Sequence, residues 1–462
     1  MMKRDTKMSG QNQNSKSISM VLDQIERNTG KALRDLRRLV SQPSVSAKGE
    51  GLHECALLVR ELLEDLGASP MIYKIESAAP IVCGEIKSRS NPDKTVLFYN
   101  HYDVQPPEPI ERWDSPPFKV VERKGKIYGR GISDDKGELV GRVWAAKSFI
   151  ETNGDVPCNL KFLIEGEEEI GSSHLHKYKE RFPHAFSADA VIWEFGGVDE
   201  RDRPVVTLGV KGMLYVELKM TNANSDAHSR LAAIVENPAW KLVDALETMK
   251  SKDKVAIPGW YDDVVPLSKQ ELALIETSPF DEAQVKNNLG IRQFVDNMHG
   301  FELKKALVGN STFNIAGLYS GYIGKGPKTI LPSQAVAKID FRLVPNQDPD
   351  DLLKKMKMFL KRNGYSDIEV TCHEAVKPKR TSPHDPIVSA ATQSAKRIHG
   401  KTPVLALSSP ATGPMAVFNA PCVAIGGSHP DSKNHSPNEN MRIDLFVKAM
   451  KWVADAVNRY ST

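Results

Sequence analysis

Residues 95–106 read TVLFYNHYDVQP. Thr95 to Tyr99 is a short apolar run suited to a buried strand, and His101 and Asp103 follow it directly. In open α/β sheets, ligands gather beyond the carboxyl ends of the strands. An imidazole at such an end can offer a ring nitrogen to a metal, and a carboxylate two residues on can orient it. Alone, the segment reads more simply as a turn histidine beside a capping aspartate.

Further apolar runs of the same kind stand at Ile81 to Val82, Leu160 to Ile164, Ala190 to Trp193 and Val423 to Ile425. Helical periodicity separates several of them. It covers Met20 to Leu39, Leu52 to Leu66 before the C-capping Gly67, and Glu138 to Ile150 before Gly154. Strand and helix in alternation predict an α/β sheet domain. Near Val206 the texture changes. Strands are expected at Leu214 to Met220, Ala335 to Val344 and Asp367 to Thr371. Helices are expected from Asn237-Pro238 to Met249 and over Asp351 to Asn363, with a long polar connection after Met249. This predicts an inserted α+β, ferredoxin-like unit of β-α-β-β-α-β type. The expected division is a flexible tail at 1–19, a discontinuous outer domain at 20–207 and 380–462, and an inserted domain at 208–379.

The chain has 462 residues, 40% hydrophobic and 26% charged, with a net charge of +4. That is ordinary globular composition. The near-balanced charge disfavours a nucleic-acid or anionic-membrane partner. No apolar run approaches the roughly 18 residues of a membrane span, and the polar, basic start lacks a signal-peptide apolar region. The five scattered cysteines form no CxxC pair, which fits a reducing, cytoplasmic location.

Three more stretches carry chemistry. YGRGISDDKG at 128–137 places Asp134 just before a helix, where an N-cap is the plain reading. EGEEEIGS at 165–172 crowds carboxylates after a buried strand, and like charges that close repel unless protonated or neutralised by a cation. NHSPNE at 434–439 puts His435 in a loop after the run Val423 to Ile425. Glu194 ends the run Ala190 to Trp193. Each is weak alone. Together His101, Asp134, Glu169, Glu194 and His435 are two imidazoles and three carboxylates, each at a strand end or helix start. One shared carboxylate, with one histidine and one carboxylate per metal, would build a pair of sites. Without thiolates the set suits Zn²⁺, with Mn²⁺ or Co²⁺ as alternatives.

These motifs, in this order, resemble the co-catalytic di-zinc metallopeptidase family. It includes carnosinase-like dipeptidases, folate-cleaving glutamate carboxypeptidase, aminoacylase and succinyl-diaminopimelate desuccinylase. The chain is most similar to the branch with carnosinases and cytosolic non-specific dipeptidase, through VAIPGWYDD at 255–263 and the later KTILP and DFRLVP. The resemblance implies that His101 and Glu194 bind one metal, that Glu169 and His435 bind the other, and that Asp134 bridges both. It implies that Asp103 orients His101, and that Glu168 is the general base for the attacking water. Glu194 stands where carnosinases usually carry Asp, and Arg230 follows Asp226-Ala227-His228-Ser229 where most relatives have Gly. The resemblance further implies a homodimer formed through the inserted domain, with His228 and Thr329 acting across subunits. Arg342 is the expected grip on the substrate carboxylate, and Thr412 and His384 are further pocket candidates. His174 and His176 read as surface residues on a helix. The expected activity is metal-dependent hydrolysis of dipeptides or short peptides with a free C-terminal carboxylate. The alternatives are an N-acyl amino acid deacylase with the same site and a non-catalytic metal or peptide binder.

Overall fold

The structure is a computed structural model that describes residues 2–252 and 254–462, with side chains from residue 17 onward. The chain divides into two compact units: Met1–Gly209 with Arg380–Leu407 and Val417–Thr462, and Val210–Lys379 with Ser408–Ala416. No helix among the described residues is long and apolar enough to cross a membrane.

The first unit is built on a nine-stranded mixed sheet. Its main path runs Met71–Tyr73, Ile81–Ile86, Asn159–Glu165, Thr95–His101, Ala190–Trp193, Cys422–Ala424, Pro204–Thr207 and Val404–Ala406. Thr95–His101 runs parallel to both of its neighbours, Asn159–Glu165 and Ala190–Trp193. It is buried from Val96 to its end, which explains its unbroken apolar character. Helix Lys136–Asn153 packs against that strand on one side and against helices Met2–Ser41 and Ile443–Ser461 on the other. Residues on all its faces are therefore buried, and it lacks the one-sided pattern of a surface helix.

The first helix begins before the expected Met20. Most of the tail assigned to 1–19 falls on residues 1–16, outside those whose side chains are described. At its end the assignment needs correction: Ile18 is 2% exposed and belongs to the core.

In the second unit, four antiparallel strands lie in the order Thr312–Ser320, Gln334–Leu343, Gly209–Thr221 and Glu369–Val376. With helices Pro238–Met249 and Pro349–Arg362 they form the β-α-β-β-α-β succession. Leu214, Val216, Leu218 and Met220 alternate into the core beneath the helices. Asn237 caps its helix by accepting from Ala239 N at 2.9 Å.

Two expectations are corrected here. The polar connection after Met249 holds helices Lys269–Thr277, Glu282–Leu289 and Gly300–Gly309 and the edge strand Thr312–Ser320. Few residues of these helices are buried, so they leave little apolar periodicity to read. Residues 408–416 belong to this unit, not to the outer one, because Ser409–Thr412 pairs parallel with Val210 and Lys211.

Candidate metal centre

Every expected metal ligand lies in the first unit, at or just past a strand end, in a turn or in a loop. His101 ends its strand and is 1% exposed. It donates Nδ1–H to the Asp103 carbonyl oxygen at 3.0 Å, with Asp103 Oδ1 at 3.4 Å. That fixes the ring with Nε2 directed at Asp134 Oδ1, 3.1 Å away, and at Glu194 Oε2, 3.8 Å away. Asp103 has a second task that the sequence did not reveal. Its carboxylate accepts from the backbone N–H groups of Glu168 and Glu169 at 3.2 and 3.0 Å. The same residue thus orients one ligand and anchors the turn that carries another.

Asp134 has one oxygen for each imidazole. Oδ1 faces His101, and Oδ2 faces His435 Nε2 at 3.0 Å. His435 Nε2 is also 3.1 Å from Glu169 Oε2. Gln105 donates Nε2–H to Glu169 Oε2 at 2.9 Å, a role its place in the HYDVQP motif could have suggested. Gly166 lets the acidic turn approach closely, since a Cβ there would fall 2.3 Å from the Tyr102 hydroxyl. Glu168 is half-buried, and its carboxylate has no hydrogen-bond partner among the described residues.

Charge decides what this cluster needs. Burial works against ionisation of Asp134, but His101 and His435 overrule it and hold its carboxyl below the usual carboxylate range. Burial raises Glu194 well above that range, with the Glu168 charge adding to it. Glu168 is pushed up to about 8, by burial first and then by Asp134, Glu169 and Asp103, against the pull of His101. Burial opposes protonation of His101, yet Asp103, Asp134 and Glu194 raise its pKa well above the ordinary value. Hydrogen bonds donated to Asp134 and Glu169 raise His435 to about 10. Two protons on the imidazoles thus hold the carboxylates together.

Donors of His101, Asp134 and Glu169 lie within 4.8 Å of one another, as do those of His101, Asp135 and Glu194. Glu194 Oε2 is buried with no hydrogen-bond partner among the described residues, as a ligand oxygen awaiting a cation would be. The residues therefore fit a divalent metal. Asp135 shares that second cluster: its Oδ2 accepts from Asn100 Nδ2 at 2.6 Å and His101 N at 3.2 Å, while its buried Oδ1 has no hydrogen-bond partner among the described residues.

Metal ligation needs neutral imidazole, so binding should expel those protons. In metal-free protein the stabilisation from His435 is complete below its ordinary pKa of 6.5 and is lost as pH rises towards about 10. At pH 7, Zn²⁺ binding is expected to release at least two protons, one from each imidazole, and a further one from the Glu194 carboxyl where burial keeps it protonated. Calorimetry in buffers of different ionisation enthalpy measures this number. No net release would contradict the paired arrangement.

The remaining candidates separate. In the second unit, Arg342 Nη1 donates to Thr412 Oγ1 at 2.9 Å, and Nε pairs with Asp340 Oδ1 at 3.0 Å. The structure thus brings two of the expected substrate residues together. His228 lies opposite Ile330 on a two-stranded ribbon, and the next residue, Ser229, donates its N–H to Thr329 O at 3.2 Å. The His228 ring is exposed and accepts from Arg230 N at 3.1 Å. His384 is exposed before helix Pro386–His399, and its ring has no partner among the described residues. His174 is no bare surface residue. It lies half-buried, with Nδ1 2.8 Å from Glu167 Oε2, and it precedes its helix.

Comparison with known proteins places the chain. The model of peptidase family M20/M25/M40 matches residues 97–459. The human Beta-Ala-His dipeptidase is 28% identical over 395 residues, 81% of this chain and 76% of its own. The Cys-Gly metallodipeptidase dug1 of Schizosaccharomyces pombe is 26% identical, covering 94% of this chain and 96% of its own. The crystal structure of an M20 family metallo-carboxypeptidase, Sso-CP2 from Sulfolobus solfataricus, superposes with a TM-score of 0.87 at 38% identity. It covers 93% of this chain and 99% of that one. A family match across most of the chain, joined to a histidine–carboxylate cluster on the matching fold, shows that the chain belongs to peptidase family M20/M25/M40 and is a metallopeptidase.

Proposed function

We propose that this metallopeptidase hydrolyses the amide bond of dipeptides or short peptides with a free C-terminal carboxylate, using two Zn²⁺ per subunit. One observation carries the reading: Asp134 points one oxygen at each of two imidazoles, and the unpartnered carboxylate of Glu168 belongs to the same charged cluster. The dipeptidase relatives supply the substrate class.

In this reading His101 and Glu194 would hold one cation, Glu169 and His435 would hold the other, and Asp134 would serve both. When bound, the cations supply Lewis-acid polarisation and make water acidic enough to react near neutral pH. Glu168 takes the proton from the attacking water and passes it to the leaving amine. Asp103 keeps the His101 ring and the Glu168–Glu169 turn in place. Arg342, steadied by Asp340 and Thr412, takes the substrate carboxylate through its planar fork. His228 and Thr329 serve the partner subunit of a homodimer. The absence of any disulfide among the described residues suits a cytoplasmic setting.

The test is a panel of dipeptides beside matched N-acetyl amino acids, with Zn²⁺-loaded protein. Cleavage of Ala-Ala with N-acetylalanine left intact is expected. Cleavage confined to the acylated compounds would overturn the proposal in favour of a deacylase.

A further inference from the structure

The parallel pairing of Thr95–His101 with Ala190–Trp193 stops at Phe98 opposite Ile192. His101 and Glu194 lie beyond that point, so this main-chain ladder does not set the distance between them. A guanidinium occupies the place of the missing ladder. Arg142 comes from helix Lys136–Asn153 and is 1% exposed. Its Nη1 donates to Tyr99 O at 2.6 Å, to Asn100 Oδ1 at 3.0 Å and to Ile192 O at 3.3 Å. Its Nη2 donates to Trp193 O at 2.7 Å. The two arms of one planar group thus hold the residues preceding His101 and the residue preceding Glu194. Asn100, itself 1% exposed, extends the contact by donating Nδ2–H to Asp135 Oδ2, which also accepts from His101 N.

A buried arginine is costly unless something requires it. Among the described residues, none of its hydrogen bonds goes to a carboxylate. Its charge is balanced at longer range by Asp135, Glu138 and Glu194. Glu138 in turn accepts from Gly427 N at 2.5 Å. A Cβ on Gly426 would fall 2.5 Å from Glu138 Oε1, so a larger residue there would displace that carboxylate.

We propose that Arg142, with Asn100, is a positioning residue that fixes the separation of His101 and Glu194 and so sets the divalent-cation affinity of that position. The inference rests on the two-metal reading above. Lysine at 142 keeps the charge but lacks the fork, and a single ammonium cannot span both strand ends as the guanidinium does.

The test measures both Zn²⁺ dissociation constants of the full chain by competition with a chromogenic chelator. Arg142→Lys is expected to weaken one constant by about 10–100-fold, the size typical of losing a group that orients a metal ligand. The weakened constant should be the one that Glu194→Ala abolishes, with the other unchanged. Saturating Zn²⁺ should restore kcat, and KM should stay at the wild-type value throughout. Wild-type constants in R142K beside a lowered melting temperature would reduce Arg142 to a scaffold residue and overturn the proposal. If R142K does not fold, Asn100→Ala takes its place. The same selective weakening supports the clamp, and unchanged constants refute it. Wild-type protein that binds one Zn²⁺ instead of two sinks the two-metal reading. The clamp then stands or falls on whether R142K weakens that single site.

Discussion

Glu168→Gln is expected to lower kcat by about 10²–10⁴-fold, the usual contribution of a positioned general base, while Zn²⁺ content stays at the wild-type level. The amide keeps the shape of the carboxylate but cannot take a proton from water. Glu168 shares no contact with His101 or His435 of the kind Asp134 makes, so ligation should survive. Where Glu168 is ionised, the charge it removes is one that helps to raise the neighbouring Glu194 carboxyl. Its loss relieves repulsion, and the metal-free variant should melt no lower than the wild type. Turnover near the wild-type rate would mean that another group handles the proton.

Asp134→Ala should cost more in metal affinity than any change behind the ligands. Outer partners typically cost about 10–100-fold, whereas Asp134 presents an oxygen to both imidazoles. Both Zn²⁺ constants are expected to weaken together and turnover to vanish. The metal-free variant offers an independent check. Asp134 is a main cause of the raised pKa of His435 and contributes to that of His101. Both imidazoles should titrate lower in the variant, as NMR would show. Two Zn²⁺ bound with wild-type affinity would remove Asp134 from the bridging position.

The candidate cluster was legible in part because some of its members end apolar runs or stand just before a helix. His101 after Thr95 to Tyr99 and Glu194 after Ala190 to Trp193 are visible for that reason. The residues behind them were not. Glu138 and Arg142 stand four apart on one helix, which reads as an exposed ion pair. Only the burial of that helix on all sides turns them into interior groups. Asp103 was expected to orient His101, but its hold on the Glu168–Glu169 turn depends on a contact across 65 positions of chain. The helices between Lys269 and Gly309 escaped because most of their residues face solvent. The Ser409–Thr412 strand escaped because pairing with Val210 and Lys211 is set by topology, not by local pattern.

The most direct test adds Zn²⁺ stepwise to metal-free protein and follows Ala-Ala hydrolysis at each step. With Asp134 shared between two positions, turnover should stay low through the first equivalent and reach its maximum only with the second. Full activity at one equivalent, or hydrolysis that persists without added metal, would contradict a paired centre.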